Sequence, residues 1–237
     1  MKHPQAYKVI GRAEPRVDAN EKVTGKAIYT VDVELPGMTH GRVLRSPYAH
    51  ARLLRVDASR AEKLPGVFAV ITREDQKRLG MFGAAYKDQT IVAVDKVRYA
   101  GDPVAAVAAL DEATAEEALS LIEVEYEELA AVTSIDEALA PGAPLVHDAV
   151  SSGGEMMGQH YEAPKEFRGT NVCYRFSYSK GDVDQGFKKA DHVFEDTFTF
   201  PRVQHFSMEP HATVARVEGD HITLWAGTQE PFTLREH

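Results

Sequence analysis

"VRYAGDPVAAVAALDEATAEEALSLIEVEYEEL", Val97–Leu129, is the stretch that decides the fold class. Val104–Leu110 is an apolar run that follows a Gly101-Asp102-Pro103 turn, so it reads as a strand. Asp111 then stands where a helix cap belongs, and glutamates fill the first turn behind it. Ala115, Ala118, Leu119 and Ile122 recur at i, i+3, i+4 and i+7, which gives the helix one apolar face. Val124 and Tyr126 then alternate as a second strand. Strand, helix and strand in this order predict an α+β domain that closes near residue 130.

Upstream, the same signals recur in shorter form. Lys26–Val33 alternates like a strand, Leu35–Met38 breaks it with a Pro-Gly turn, and Gly41–Pro47 resumes as a strand. Asp57 is placed to cap a short helix through Leu64. Pro65-Gly66 stops that helix, and Val67–Thr72 is rich in strand-formers. Thr72 and Asp75 have the spacing of a capping box. Ile91–Val94 reads as one more strand.

Downstream, Ser134 and Glu137 form another capping pair, and Ala140–Thr170 is then rich in Gly, Pro and Ser, the texture of a linker. Order returns with an apolar strand-like run at Asn171–Tyr178 and a helix over Val183–Ala190 capped by Asp182. Phe194, Phe198 and Phe200 fall on one face of a strand. "TVARV" and "HITLW" flank Glu218-Gly219-Asp220, which reads as a three-residue hairpin turn. Thr228-Gln229 ends the second of these strands, and Glu230-Pro231 opens a helix with proline where helices accept it. This second region has too few elements to close a core by itself.

Composition limits the function classes. The 237 residues are 43% hydrophobic and 27% charged, as in a globular protein large enough for one big domain or two ordinary ones. A net charge of −9, with no basic run to offset it, argues against a nucleic-acid partner. No apolar stretch reaches the ~20 residues of a membrane span, and the polar N-terminus lacks a secretory core, so the cytoplasm is expected. The single cysteine, Cys173, rules out an internal disulfide, an iron–sulfur cluster or a cysteine-rich zinc site within this chain, and it reads as a buried core thiol.

Motifs that carry chemistry by themselves are few. His205, Glu209 and His211 could be a metal set, but Pro210 sits badly in the helix that would align them, so they read as buried groups holding a strand entry. The glycines match no phosphate loop. Asp102 precedes a proline, as turn-forming carboxylates do, and no Ser-His-Asp order is legible.

Longer stretches do carry a resemblance. Tyr7–Met38 ("YKVIGRAEPRVDANEKVTGKAIYTVDVELPGM"), Leu44–Thr72 and Val97–Leu129 resemble the α/β hammerhead domain of the xanthine dehydrogenase/aldehyde oxidase family, with Asp102 where a Glu is more usual. Gly181–Phe198 and "HFSMEPHATVARVEGDHITLWAGTQEPF" (His205–Phe232) resemble the start of the molybdopterin-binding domain that follows it in the molybdenum subunit. The implied fold class is α+β, an α/β hammerhead domain followed by an incomplete mixed α/β molybdopterin-binding domain. The implied organisation is an extension at 1–20, the hammerhead at 21–130, a linker at 131–170 and the beginning of the second domain at 171–237.

The resemblance implies hydroxylation of an aldehyde or N-heterocycle with oxygen from water, at a molybdenum–molybdopterin cofactor. The glutamine of the family's "TQ" motif, which lies beside the metal's apical oxo ligand, falls on Gln229. A neutral amide suits that place because it donates a hydrogen bond without adding charge. No catalytic residue and no metal ligand is expected in this chain. The family's Gly-rich loop, its substrate-binding arginine and its catalytic glutamate have no counterpart here. A second molybdopterin-binding chain is expected to bring the Gly-rich loop and the Glu, with [2Fe–2S] clusters on an iron–sulfur subunit and FAD on a flavin subunit. The other readings are a non-catalytic hammerhead module for binding or assembly, and a truncated fragment of the large subunit.

Overall fold

The computed structural model describes residues 9–83, 87–148, 154–156, 159–161, 168–173, 175 and 177–236. In chain order the elements begin with helix α1 (Ala19–Val23) and a 3-10 turn at Thr30–Asp32. Strands β1 (His40–Arg45), β2 (Ala51–Asp57) and β3 (Val67–Ile71), helix α2 (Arg73–Gln76) and strands β4 (Lys96–Val97) and β5 (Pro103–Ala109) follow. Then come α3 (Glu112–Ser120), β6 (Glu123–Glu128), α4 (Ile135–Leu139), β7 (Gly154–Met156), β8 (Gln159–Tyr161) and α5 (Val183–Lys189). Strands β9 (Thr213–Glu218) and β10 (His221–Ala226) and helix α6 (Pro231–Glu236) complete the order. The chain divides into two compact units, Gly37–Val193 and a second formed by Met1–Pro36 with Phe194–His237.

The Gly37–Val193 unit is built on two antiparallel three-stranded sheets, β1-β5-β3 and β4-β2-β6. Alanine makes the first sheet work. Ala105, Val107 and Ala109 on β5 lie with Ala58, Ala61, Ala115, Ala118 and Ile122 in one buried cluster, and side chains this short let α3 lie close to the sheet. Asp111 fixes where that helix starts, its carboxylate accepting from Thr114 N at 2.7 Å. Arg42 on β1 reaches across to Glu112 at 2.6 Å. At Gly66, φ is +92° and an added Cβ would stand 3.2 Å from Thr114 Cγ2, so both backbone and space call for glycine.

The second sheet buries Ala51, Leu53 and Val97 in a cluster with Val104 of β5, packed against Tyr48 and Tyr126, whose ring centroids are 5.0 Å apart. Its other face is a charge ladder in which Arg52 pairs with Glu127 and Arg55 with Glu125, and Arg60, in the turn beyond β2, reaches Glu123. The capping pairs read from the sequence are present. Thr72 and Asp75 exchange side-chain and backbone bonds at α2, Ser134 and Glu137 do so at α4, and Asp182 accepts from Gln185 N at 2.9 Å to cap α5.

Several local expectations are corrected. Lys26–Val33 is not a strand but holds the 3-10 turn, because the Asp32 carboxylate accepts from Tyr29 N at 2.8 Å and gives the backbone a local partner. Ile91–Val94 forms no ladder. It is tied down by Gln76 Oε1, which accepts from Ile91 N at 2.8 Å, and by Ala93 N donating to Pro103 O at 2.7 Å. The segment after Asp57 makes successive turns rather than a helix, although Asp57 does accept from Ser59 N. No strand is present among the described residues of 171–178, and Cys173 is exposed rather than in a core.

The other unit is open. Strands β9 and β10 pair from His221↔Glu218 to Ala226↔Thr213, so the hairpin loop is two residues, Gly219-Asp220, rather than three. Gly219 supplies φ 59° at the first loop position, the geometry that keeps a tight hairpin twisted. Phe194, Phe198 and Phe200 lie in a segment without helix or ladder. No residue of this unit is buried among those described.

Candidate cofactor-facing site

The residue singled out in the sequence, Gln229, stands in the connection between β10 and α6. The local fold follows from its neighbours. The last ladder pair is Ala226↔Thr213, so the chain leaves the sheet at Gly227. Thr228 Oγ1 accepts from Glu230 N at 3.0 Å, turning the backbone, and Pro231 starts the helix whose first bond is Leu234 N to Glu230 O at 3.0 Å. Gln229 is exposed between these two fixed points, and its side-chain amide makes no hydrogen bond among the described residues. Both its N–H donors are therefore open to a ligand, as a cofactor contact through a neutral amide requires.

Beside this connection lies Glu209. A Cβ placed on Gly227 would stand 3.5 Å from Glu209 Oε1, so the strand end and the carboxylate are neighbours. His205, Glu209 and His211 are all exposed, which corrects the expectation that they are buried groups. Among the described residues no group of three or more His, Cys, Asp and Glu is arranged to hold a metal.

The Gly37–Val193 unit contains polar features that the sequence did not reveal. A cavity of about 620 Å³ is lined by His50, Arg52, Asp95, Lys96 and Asp148 among others. Lys96 is buried and donates to Leu145 O at 3.0 Å and to Asp148, which holds that carboxylate below its ordinary range. His50 Nδ1 lies 2.7 Å from Ala130 O, so this nitrogen carries the proton, while Nε2 is buried with no hydrogen-bond partner among the described residues. A second cavity of about 390 Å³ has Asp102, Arg98 and His147 in its wall. Asp102 does form its turn, accepting from Arg98 N at 2.9 Å, yet burial pushes its carboxyl up despite that bond. Burial, with Arg98 next, pushes His147 down. Only the folded register brings these groups together, and no spacing in the sequence signals it.

Comparison with known proteins bears on both units. Residues 24–130 match the family described as "Aldehyde oxidase and xanthine dehydrogenase, a/b hammerhead domain", and residues 165–237 match "Molybdopterin cofactor-binding domain". The chain is 41% identical over 221 residues to a probable xanthine dehydrogenase subunit of Bacillus subtilis (strain 168), covering 93% of this chain and 27% of that protein. It is 34% identical to the nicotinate dehydrogenase large molybdopterin subunit of Eubacterium barkeri, covering 95% of this chain and 48% of that one. Among solved structures, quinoline 2-oxidoreductase from Pseudomonas putida 86 superposes with a TM-score of 0.75 at 32% identity, over 95% of this chain and 28% of that one. The chain thus spans about a quarter to a half of the length of the relatives described.

Proposed function

The chain belongs to the aldehyde oxidase and xanthine dehydrogenase family, as a portion of its molybdenum-binding subunit, and from that premise we propose that it forms one side of a molybdopterin active site completed by a second polypeptide. The carrying observation is the match of residues 165–237 to the molybdopterin cofactor-binding domain, the larger part of which, 194–237, belongs to a unit that has one two-stranded sheet and no buried residue among those described. The relatives lend support. Nearly the same share of this chain fills 27% of one relative and 48% of another, so molybdenum subunits of this family come in more than one length.

In this reading Gln229 is the residue that meets the cofactor, donating a hydrogen bond from its neutral amide. When bound, the molybdenum–molybdopterin group supplies the redox chemistry for hydroxylating an aldehyde or N-heterocycle with water. This chain contributes positioning: the β9–β10 hairpin holds the strand end, Thr228 turns it, and Pro231 starts the helix that fixes its far side. The second chain brings the Gly-rich loop and the catalytic glutamate. An iron–sulfur subunit and an FAD subunit take the electrons. The domain limits that go with the proposal are 21–130 for the hammerhead, 131–170 for the linker and 171–237 for the beginning of the cofactor domain. No helix among the described residues is long and apolar enough to cross a membrane, and the cytoplasm is the proposed compartment.

Purification under native conditions tests the reading. The chain is expected to co-purify with a molybdenum-containing polypeptide that carries the missing motifs. A stable, metal-free monomer would overturn it and favour a hammerhead module for assembly. In the assembled complex, Gln229→Ala is expected to lower turnover about 10- to 100-fold with assembly intact. Unchanged turnover would remove Gln229 from the site.

A further inference from the structure

Between the two stretches that match family models, 24–130 and 165–237, residues 144–148 run without helix or strand. Every hydrogen bond that their backbone makes among the described residues goes to a side chain. Lys96 Nζ donates to Leu145 O at 3.0 Å, and Arg98 Nε donates to Val146 O at 3.1 Å. Lys96 on β4 and Arg98 just past it are two residues apart, so they face one side and meet successive carbonyls. From the other flank, Asn171 Oδ1 accepts from Val146 N at 2.9 Å. Asn171 Nδ2 donates to Pro144 O at 3.0 Å and to Ala138 O at 3.1 Å, the latter one of the carbonyls that the short helix α4 leaves open. An amide suits this place because it offers an acceptor and two donors from one side chain.

These residues lie over a buried charge. Lys96 is only 8% exposed, and an ammonium so enclosed needs partners, which here are Leu145 O and the Asp148 carboxylate. They also wall two cavities: Pro144, Leu145 and Asp148 line the larger, and Val146 and His147 the smaller. All of this lies within the Gly37–Val193 unit. We infer that residues 144–148 are a strap closed by one clasp, Lys96, Arg98 and Asn171, so that release at Asn171 uncovers Lys96 and opens both cavities. The clasp joins the two matched stretches, since the first supplies Lys96 and Arg98 and the second supplies Asn171. The start of the cofactor-binding stretch thereby governs access to a buried charge in the hammerhead. The coupling is reciprocal, so loss of Lys96 loosens the strap where Asn171 holds it. It needs no second polypeptide, and its failure would leave the proposed function untouched.

The test uses the full chain and reads each end of the clasp after the other is altered. Asn171→Ala is expected to speed acetylation of Lys96 by sulfo-N-hydroxysuccinimide acetate about 10-fold, measured by peptide mass spectrometry. Asn171→Asp keeps an acceptor for Val146 N but sets a carboxylate against two carbonyls, and it should release Lys96 as well. Lys96→Met is expected to speed amide exchange at Val146 about 10-fold, read by NMR, although the Val146 N–H is held by Asn171. Two controls should not change: acetylation of the exposed Lys63, and exchange at Val107, buried on β5. Unchanged acetylation of Lys96 in Asn171→Ala, with Val107 still protected, would overturn the proposal, because the strap would then be held piece by piece. Unchanged exchange at Val146 in a folded Lys96→Met chain would overturn it equally. Should Lys96→Met unfold the chain, seen as lost protection at Val107, acetylation of Lys96 in the two Asn171 variants decides the outcome.

Discussion

The two units hold the same kinds of residue in opposite states. In Gly37–Val193, apolar side chains face one another: Val97, Val104, Ala105 and Ala118 are wholly buried, and short alanines bring a helix down onto a sheet. In the unit containing Phe194–His237, the phenylalanines face water and the only sheet among the described residues is a hairpin. The first unit contains its own reason to fold. The second holds Gln229, proposed to meet the cofactor, three residues past a strand end, and none of its described residues is buried. Stability and the proposed cofactor contact thus fall in different parts of the chain, and substitutions should separate them.

The largest effect expected is from Val104→Asp. An unpaired charge at a fully buried position should cost about 4 kcal/mol or more and abolish the thermal transition of the chain. Phe198→Asp, in the open unit, should leave that transition where it is, as circular dichroism melting would show. A smaller contrast concerns helix caps. Asp111→Ala should cost about 1 kcal/mol in urea unfolding, because α3 is packed on the core, whereas the same change at Asp182, capping the exposed α5, should barely move the midpoint. Equal effects at the two caps would break the contrast.

A pH-dependent effect is expected from His147. Its pKa is lowered in the folded state, by burial first and Arg98 next, so the unfolded chain takes up a proton at a pH where the folded chain does not. Stability is therefore full above the ordinary histidine range, about 6.5, and declines as pH falls below it. His147→Asn should flatten this slope between about pH 7.5 and about pH 5.5, read from urea midpoints. The smallest effect belongs to the charge ladder. Glu125→Ala should cost no more than about 0.5 kcal/mol, and less in high salt, since Arg55 and Glu125 are both more than half exposed.

What can be read from the sequence follows the same division. Val97–Leu129 is legible because its local signals agree with its packing: the Asp111 cap, the apolar helix face and the alternation of β6 all point one way. The capping carboxylates and hydroxyls at Thr72, Asp111, Ser134 and Asp182 are legible for the same reason, since a cap and its target lie within three residues. Strand patterns elsewhere are a weaker guide. Alternation at Lys26–Val33 and Ile91–Val94 marks a chain able to pair, but pairing needs a free neighbour, and Asp32 and Gln76 take the backbone groups instead. At Phe194–Phe200 the alternation marks an aromatic face, but no strand forms there among the described residues. The cavity around His50 and Lys96 is invisible in the sequence, because it depends on bringing residues 50, 96, 130 and 148 together across the fold.

The two-residue loop at Gly219-Asp220 has a consequence for the far end of its hairpin. Strand β10 is six residues long, about 20 Å, and every residue on it faces the side that the Glu218–His221 closing pair assigns. A loop longer by one residue that shifted the register by one would turn the strand's faces over, and Gln229 would leave the sheet on the opposite side. The loop thus acts as a length gauge for the far end of the hairpin, so the side on which the chain leaves the ladder toward Gln229 is set by two residues at the opposite end of it.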